Sequence, residues 1–275
     1  MPDSRRTLWP RAGLVRASLV VHAGAVLGLG VPGSWPWIAG ALLGNHALLM
    51  AASLWPRSAL VGPNLRRLPC DPANAGSVSL TFDDGPDPRV TPAILQRLDR
   101  HGARASFFCV ARRAEAFPDI VAEIARRGHR VENHSYSHSH RFALMGWRTL
   151  GRELDRAQEV LTRCTGTPPV WFRAPAGLRS PWLDAALQAR HLELASWTRR
   201  AFDTVSGDPV RIVKRLARRL TARDILVLHD GNSAPDAAGR PVVLEALPRL
   251  LDRLDAAGLR STPIPPPCRR TETLE

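Results

Sequence analysis

Residues 78–86 read Val-Ser-Leu-Thr-Phe-Asp-Asp-Gly-Pro, and this stretch decides the fold. Its first five residues are mostly apolar or β-branched, which is typical of a buried strand, and the glycine and proline predict a turn. Two adjacent carboxylates, Asp83 and Asp84, stand where the strand ends. Adjacent acids repel each other unless a cation or a hydrogen-bond donor separates their roles, although an ordinary Asp-Gly turn would also explain the pair.

The same kind of short apolar run recurs downstream and alternates with helix-like segments. The further predicted strands are Ala105–Cys109, His129–Asn133, Val170–Arg173, Leu192–Trp197, Ile225–His229 and a weak run at Ser261–Ile264. Between them, apolar residues recur every three to four positions, which predicts helices such as Pro92–His101, Trp147–Cys164 and Val210–Leu220. Alternating strands and helices predict an α/β fold with a parallel sheet or barrel, whose chemistry gathers at the carboxyl ends of the strands.

Two histidines, His134 and His138, follow the third predicted strand. At a spacing of four they would meet on one side of a helical turn and could hold one cation through neutral imidazoles. With Asp84 they would form a face of two histidines and one carboxylate that leaves positions for water and substrate. A histidine-rich loop can also be merely solvated, but the nearby acid pair favours a metal site.

Other predicted strands also end in polar residues. Arg173 precedes a proline turn, Asp203 follows the fifth predicted strand, and His229 ends the sixth. Each of these alone is a weak indication, because such residues are often structural. Their shared position at successive strand ends favours one common site.

Residues 13–55 differ in composition from the rest of the chain. Two stretches, Leu14–Val31 and Trp35–Trp55, are almost entirely apolar, and each is long enough to span about 30 Å of hydrocarbon. A Pro-Gly-Ser turn at 32–34 separates them. We therefore predict a membrane anchor over 13–55, formed by a transmembrane two-helix hairpin. A secretory signal peptide followed by a buried helix, or a single signal anchor, would also fit.

Basic residues flank the predicted hairpin on both sides, and the turn inside it carries no charge. They are Arg5, Arg6, Arg11 and Arg16 before it, and Arg57, Arg66 and Arg67 after it. The positive-inside rule then predicts an inner-membrane protein whose soluble domain faces the cytosol. If only the second stretch spans the membrane, the domain faces outward.

Overall composition narrows the class of protein. The chain has 275 residues and a formal net charge of +13, which would fit a nucleic acid, a membrane surface or an anionic substrate. Its arginines are spread along the chain without a recognition motif, so we expect no nucleic-acid partner. The four cysteines, Cys70, Cys109, Cys164 and Cys268, lack the paired spacing of a thiolate metal site and are expected to be free thiols.

From Ser77 to Pro263 the sequence resembles the polysaccharide deacetylases of carbohydrate esterase family 4, with five motifs in order. The resemblance implies a distorted (β/α)7 barrel. The expected organisation is a basic N-terminal segment (1–12), the anchor (13–55), a linker (56–76), the catalytic domain (77–263) and a flexible tail (264–275).

The resemblance also implies a role for each motif residue. Asp83 matches the catalytic base, Arg173 the arginine that orients it, Asp203 the acid paired with that arginine, and His229 the general acid. Asp84, His134 and His138 match the metal ligands, and Ser135 would hold their loop in shape. The backbone N–H near Ala176 would stabilise the oxyanion, and Leu226 and Leu228 would line the acetyl pocket.

The implied cofactor is one divalent metal ion. Zinc (Zn2+) fits two histidines and a carboxylate, and Co2+, Ni2+, Mn2+ or Fe2+ would also fit. The implied reaction is hydrolysis of the N-acyl amide, with acetyl as the expected acyl group, of an amino sugar in a polysaccharide or a lipid-linked saccharide.

Two positions depart from the family pattern. Ala176 stands where an aromatic residue is usual, which removes a wall of the sugar groove but leaves the backbone donor. Arg200 stands where an additional acid is often found, and with Arg199 beside it this could suit an anionic substrate. Both arginines could equally point to solvent.

Two alternative functions would also fit the sequence. One is removal of formyl or another short acyl group from a polyprenyl-phosphate-linked sugar. Another is a catalytically inactive sugar-binding membrane protein, which would be expected to have lost Asp83, a metal ligand or His229, and all of these are present. The oligomeric state is left open.

Overall fold

The computed structural model describes residues 12–267. It begins with two antiparallel helices, α1 (Gly13–Gly28) and α2 (Trp35–Leu54), which we call the N-terminal hairpin. Most of the predicted basic segment (1–12) lies outside the described residues, as do Cys268 and the greater part of the predicted tail. Two helices are present, as predicted, but α1 has 16 residues and is about 24 Å long at the usual helical rise, which is shorter than the hydrocarbon core of a bilayer. The expectation that both stretches could span a membrane is therefore wrong for the first, and of the described helices only α2 is long and apolar enough to cross one.

A curled, parallel sheet forms the centre of the remaining chain. Its strands are β1 (Ser77–Asp83), β2 (Ala105–Cys109), β3 (Arg130–Asn133), β4 (Trp171–Phe172), β5 (Glu193–Leu194), β6 (Arg199–Arg200), β7 (Ile225–His229) and β8 (Arg260–Ser261). The order across the sheet is β5-β4-β3-β2-β1-β7-β6, and β8 pairs with the start of β1. The predicted parallel α/β architecture is confirmed as a half-barrel, and β6 is a strand that the sequence pattern did not predict.

Helices cover the outer surface of this sheet, because every connection between successive strands except that from β5 to β6 carries one or more of them. They are α3 (Thr91–Arg100), α4 (Ala111–Ala116), α5 (Pro118–Arg126), α6 (Trp147–Thr165), α7 (Leu183–Gln188), α8 (Pro209–Ala217) and α9 (Val243–Ala256). The predicted helices at 92–101, 147–164 and 210–220 correspond to α3, α6 and α8. Their apolar stripes are buried against the strands.

Alternation along β1 separates the helix-facing core from the barrel interior. Leu80 and Phe82 belong to the core packed against the helices, so Thr81 and Asp83 point to the opposite face of the strand. Asp83 is therefore directed into the interior at the carboxyl end of the central strand. This end of the half-barrel is where the functional residues gather.

The segment predicted as a linker is instead part of the barrel. Leu65 pairs in parallel with Ala195, and its N–H donates to the Leu194 carbonyl at 2.9 Å. Farther along, Leu68 is fully buried and its N–H donates to the Arg223 carbonyl at 2.9 Å. Residues 65–68 thus run along the open side between β5 and the start of β7. Prolines exclude a long helix here, but they do not prevent strand-like pairing at an edge.

The predicted flexible tail also begins later than expected. Ile264 is fully buried, and its N–H donates to Ser106 Oγ at 3.0 Å. The Pro265 carbonyl accepts a hydrogen bond from Trp171 Nε1 at 2.9 Å. Proline-rich composition predicted disorder, whereas these contacts show a docked, extended segment at 264–265.

Candidate active site

Asp84, His134 and His138 form a compact cluster at the carboxyl end of the sheet. Asp84 Oδ1 lies 3.2 Å from His134 Nε2 and 2.9 Å from His138 Nε2. The three ligand atoms lie within 4.8 Å of one another. His134 Nδ1 lies 2.8 Å from the Arg173 carbonyl, and this contact orients the ring so that Nε2 points into the cluster.

The two histidines are brought together by a bent loop and not by the helical turn that their spacing suggested. Ser135 and His138 both have positive φ values, 66° and 51°. Ser135 Oγ accepts the His138 N–H at 3.0 Å, and the Ser135 N–H donates to Asn133 Oδ1 at 2.8 Å. Ser135 therefore makes the bond that keeps the loop closed around the cluster.

Electrostatics keep the Asp84 carboxylate ionised. Burial alone acts to raise its pKa, but hydrogen bonds and positive charge from His134 and His138 outweigh burial and hold the pKa well below its usual range. Asn232 adds a donor, with Nδ2 at 3.0 Å from Asp84 Oδ2. Asn232 is not among the site residues predicted from the sequence, although its position three residues after His229 is a signal that could have found it.

A glycine makes room for this cluster. The Gly231 Cα lies so close to the Asp84 carbonyl that a Cβ at this position would overlap the backbone. Any larger residue would therefore push the β7 turn away from Asp84.

Asp83 is held by a fully buried arginine. Arg173 donates from one terminal nitrogen to Asp83 Oδ1 at 2.7 Å and to Thr81 Oγ1 at 2.8 Å. Its other nitrogens donate to the carbonyls of Ala195 and Ser196, at 3.3 and 3.0 Å. Because every arm of the guanidinium is bound, it fixes one oxygen of Asp83 and leaves Oδ2 available for other chemistry.

Asp203 does not pair with Arg173, which corrects the sequence expectation. Its Oδ1 lies 2.8 Å from His229 Nδ1, and its Oδ2 accepts the His229 backbone N–H at 2.8 Å. Asp203 is fully buried and His229 nearly so. The sequence placed both residues at strand ends but could not indicate which residue Asp203 would contact.

The contact with Asp203 sets the protonation of His229. Burial acts to lower the histidine pKa, but the hydrogen bond and charge of Asp203, with the charges of Asp83 and Asp84, raise the pKa of His229 to about 9. At neutral pH the imidazole is therefore protonated. His229 lies beside Asp83 in the register of β7 and β1, so an acid and a carboxylate are neighbours, as acid–base catalysis requires.

Leu226 and Leu228 do not face this site, which is a second correction. In β7, Leu226 pairs with Leu80 and Leu228 with Phe82, and both leucines belong to the helix-facing core. Val227 lies between them on the same face as His229. Val227, and not Leu226 or Leu228, is therefore the β7 residue on the face that carries His229.

Ala176 lies on an exposed turn at the rim of the site. Its backbone is left-handed, with φ of 54°, inside the turn Pro175–Gly177. Next to it, a Cβ at Gly177 would collide with Pro56 and with the Trp197 ring. The rim at Ala176 is thus packed directly against the segment that follows the N-terminal hairpin.

The neighbouring arginines of β6 have different environments. Arg199 Nε donates to Asp224 at 2.6 Å, and its terminal nitrogens donate to the carbonyls of Arg218 and Arg219. Arg200 lies over the rings of Trp197 and Phe202, at 5.5 and 5.2 Å. Only Arg200 therefore remains available to a ligand.

Fold and site together describe an α/β half-barrel hydrolase with a candidate centre for one divalent cation. A profile of the polysaccharide deacetylase family matches residues 71–195. A chitooligosaccharide deacetylase of Azorhizobium caulinodans is 31% identical over 199 residues, which cover 70% of this chain and 94% of that protein. The chain therefore belongs to the polysaccharide deacetylase family, and it is a hydrolase of carbon–nitrogen bonds other than peptide bonds.

Two further similarities agree with this assignment. A peptidoglycan N-acetylglucosamine deacetylase of Bacillus cereus is 42% identical over 106 residues, which cover 38% of each chain. The solved structure of a family 4 carbohydrate esterase from Streptomyces lividans, in complex with acetate, has 30% identity and a TM-score of 0.62. That match covers 70% of this chain and 94% of the other.

Proposed function

We propose that this chain hydrolyses the N-acetyl amide of an N-acetylglucosamine-type residue in a saccharide, with one divalent cation as cofactor. The observation that carries the proposal is the convergence of three units at one end of the half-barrel. These are the arginine-held Asp83, the Asp84–His134–His138 cluster and the Asp203–His229 pair. The names of the similar deacetylases of Azorhizobium caulinodans and Bacillus cereus support the same reaction.

The donor set of the cluster fits a divalent cation. Two imidazole nitrogens and one carboxylate oxygen converge within 4.8 Å of one another. A cation held there would polarise the acyl carbonyl and make the attacking water more acidic. Zinc suits this set, and Co2+, Ni2+, Mn2+ or Fe2+ suit it as well.

Asp83 would act as the general base. Its Oδ1 is bound by Arg173, so Oδ2 is the oxygen that would accept the proton of the attacking water. The adjacent Asp84 is engaged by the two histidines, and this separates the roles of the two neighbouring acids. The backbone N–H at Ala176 would donate to the oxyanion as it forms.

His229 would act as the general acid. With a pKa of about 9 it carries the proton at neutral pH, and the Asp203 carboxylate holds Nδ1 so that Nε2 is the atom that donates. The departing amine of the sugar would receive this proton. Val227, on the same face of β7, would contact the acyl methyl group.

We also propose that the N-terminal hairpin anchors the protein in the inner membrane. α2 is long and apolar enough to cross a bilayer, and large apolar side chains on both helices are exposed, including Leu27, Trp37 and Leu43 at 81%, 83% and 72%. Apolar side chains this exposed are costly in water and stable in lipid. The basic flanks favour a catalytic domain on the cytosolic side.

One observation favours a second substrate, a lipid-linked saccharide. Pro56, two residues after α2, packs against Gly177 and Trp197 beside the candidate site. If α2 lies in the membrane, this contact would hold the site close to the lipid surface. Removal of an acetyl or formyl group from a polyprenyl-phosphate-linked sugar would suit that position.

The test is acetate release by the purified, metal-reconstituted full chain, with and without a chelator. An N-acetylglucosamine oligomer and a polyprenyl-phosphate-linked N-acetyl sugar would be compared in parallel. Chelator-sensitive release from the oligomer is the expected result. Release only from the lipid-linked sugar would show that the enzyme modifies a lipid-linked precursor. Release from neither substrate would contradict the proposed acetyl chemistry.

A further inference from the structure

Arg200 has an unsatisfied guanidinium beside the site. Among residues 12–267 it makes no hydrogen bond and no ion pair, and its Nε is buried without a partner. Its neighbour Arg199 is fully engaged by Asp224 and by backbone carbonyls. The side chain as a whole is only half-buried, so the terminal nitrogens of this guanidinium, which have no acceptor within residues 12–267, are free to bind an anion from outside the chain.

The register of the sheet directs Arg200 toward the catalytic residues. In the parallel β6–β7 ladder it pairs with Val227, which lies on the same face as His229. Two guanidinium groups lie near the Trp197 ring, with Arg200 at 5.5 Å and Arg173 at 5.8 Å from its centre. Arg200 therefore shares an aromatic neighbour with the arginine that holds Asp83.

Phe202 forms an exposed aromatic platform next to Arg200. Its side chain is 47% exposed, although a large apolar residue would normally be buried. Two guanidinium groups lie near its ring centre, Arg200 at 5.2 Å and Arg215 at 5.4 Å. The hydrogen bond of Arg215 is to the Ala201 carbonyl at 3.5 Å, and within residues 12–267 no carboxylate pairs with it.

The three side chains match the chemistry of an acidic sugar. The apolar face of a pyranose ring can pack on an exposed aromatic ring, and guanidinium forks bind carboxylate or phosphate oxygens with two parallel hydrogen bonds. Phe202 immediately precedes Asp203, which holds His229. A sugar on this platform would therefore lie beside the unit that is deacetylated.

We propose that Arg200, Phe202 and Arg215 form a subsite for an anionic sugar residue, one that carries a carboxylate or a phosphate. The subsite deepens the proposed deacetylase function and rests on it for the identity of the reaction. It makes the enzyme selective for acidic glycans over neutral ones. Arg200 binds the oxyanion, Phe202 supports the ring, and Arg215 adds a second positive charge.

The experiment compares three N-acetylglucosamine-containing oligomers of equal length with the full-length protein. One is neutral, one carries the carboxylate of alternating N-acetylmuramic acid, and one carries a phosphate. The variants are Arg200→Gln, Arg215→Gln and, as a matched loss of charge, Arg253→Gln. Arg253 lies near the end of α9, which leads to β8 at the opposite end of the sheet.

We expect Arg200→Gln to raise KM for the anionic oligomers by about tenfold, because a hydrogen bond to a charged group is lost. The values of kcat, and both constants for the neutral oligomer, should stay within about twofold, since the catalytic groups are untouched. Arg215→Gln should give a smaller rise in KM, and Arg253→Gln should give none. The anionic oligomer whose KM rises more identifies carboxylate or phosphate as the group that the subsite binds.

Titration calorimetry separates this inference from the proposed reaction. If no oligomer is turned over but the anionic oligomer binds and Arg200→Gln weakens that binding, the deacetylase proposal fails and the subsite stands. If turnover occurs with equal KM for neutral and anionic oligomers, or if Arg200→Gln changes all substrates alike, the subsite is overturned.

Discussion

The half-barrel and the N-terminal hairpin have opposite distributions of polar and apolar side chains. In the half-barrel, Arg173 and Asp83 are buried and bound to each other, and apolar residues surround them. In the hairpin, large apolar residues are exposed and polar ones meet between the helices. Asn45 Nδ2 donates to Ser18 Oγ at 2.9 Å, and the rings of His22 and His46 meet edge to face at 5.2 Å.

This difference shows what each region requires from its surroundings. In the half-barrel, fixed partners stabilise the buried charges. Burying charged groups is costly, and it is typical of sites whose chemistry depends on the protonation state of those groups. The hairpin has few charges to satisfy, and its exposed apolar surface fits the proposed contact with lipid. Each region should therefore respond to a different kind of substitution.

Loss of the Asp83 charge is expected to have the largest effect on the half-barrel. Asp83→Asn should lower turnover by about 10²–10⁴-fold, because general base catalysis contributes that much. Asparagine Oδ1 can still accept from Arg173, so cation content should not change. The measurement is acetate release together with metal analysis, and Asp119→Asn on the exposed surface of α5 is the control. Near-normal turnover in Asp83→Asn would show that another group is the base.

Loss of a metal ligand should lower both cation binding and turnover. His138→Ala removes one of three ligands and should lower both bound metal and turnover, with metal affinity reduced by at least about tenfold. His140→Ala is the matched control, because this histidine is exposed two residues away. Mass-spectrometric metal analysis after dialysis is the measurement. Full metal content in His138→Ala would remove it from the ligand set.

The Asp203–His229 pair predicts the pH dependence of turnover. His229 must carry a proton to act as an acid, and its pKa is raised to about 9, so activity should persist at neutral pH and fall as pH rises through about 9. Asp203→Asn removes the charge that raises this pKa. The alkaline fall should therefore move toward the ordinary histidine value of about 6.5. Profiles of kcat against pH provide the measurement, and an unchanged alkaline limb would contradict the role of His229.

A charge introduced into the N-terminal hairpin should affect membrane binding without affecting the half-barrel. Leu43→Asp places a carboxylate on the exposed side of α2, at a cost of about 2.5–3.5 kcal/mol if this helix crosses a membrane. We expect a measurable shift of the protein from the membrane fraction to the soluble fraction. In detergent, kcat on a soluble oligomer should be unchanged. A protein that is already soluble without this substitution would argue against the membrane anchor.

The local sequence was sufficient to predict most of the strands and helices and most of the candidate site residues. Val78–Phe82 predicted a buried strand because its residues are apolar or β-branched, and Asp83, Asp84, His134, Arg173 and His229 were placed at strand ends by simple adjacency. Parallel strands bring such ends together, so a common site followed without knowledge of any distance. The length and apolarity of Trp35–Trp55 likewise predicted a long helix.

Contacts between distant segments were decided only by the tertiary structure. Asp203 binds His229 instead of Arg173. On β7, Val227 faces the site, whereas the neighbouring leucines face the helices. Residues 65–68 are part of the barrel instead of a linker that leads to it. Arg199 and Arg200 are adjacent in sequence, yet one is neutralised by Asp224 and the other is left unpaired. Periodicity and turn residues act over a few positions, whereas these partners lie 25 to 157 residues apart and depend on strand register and on the curl of the sheet.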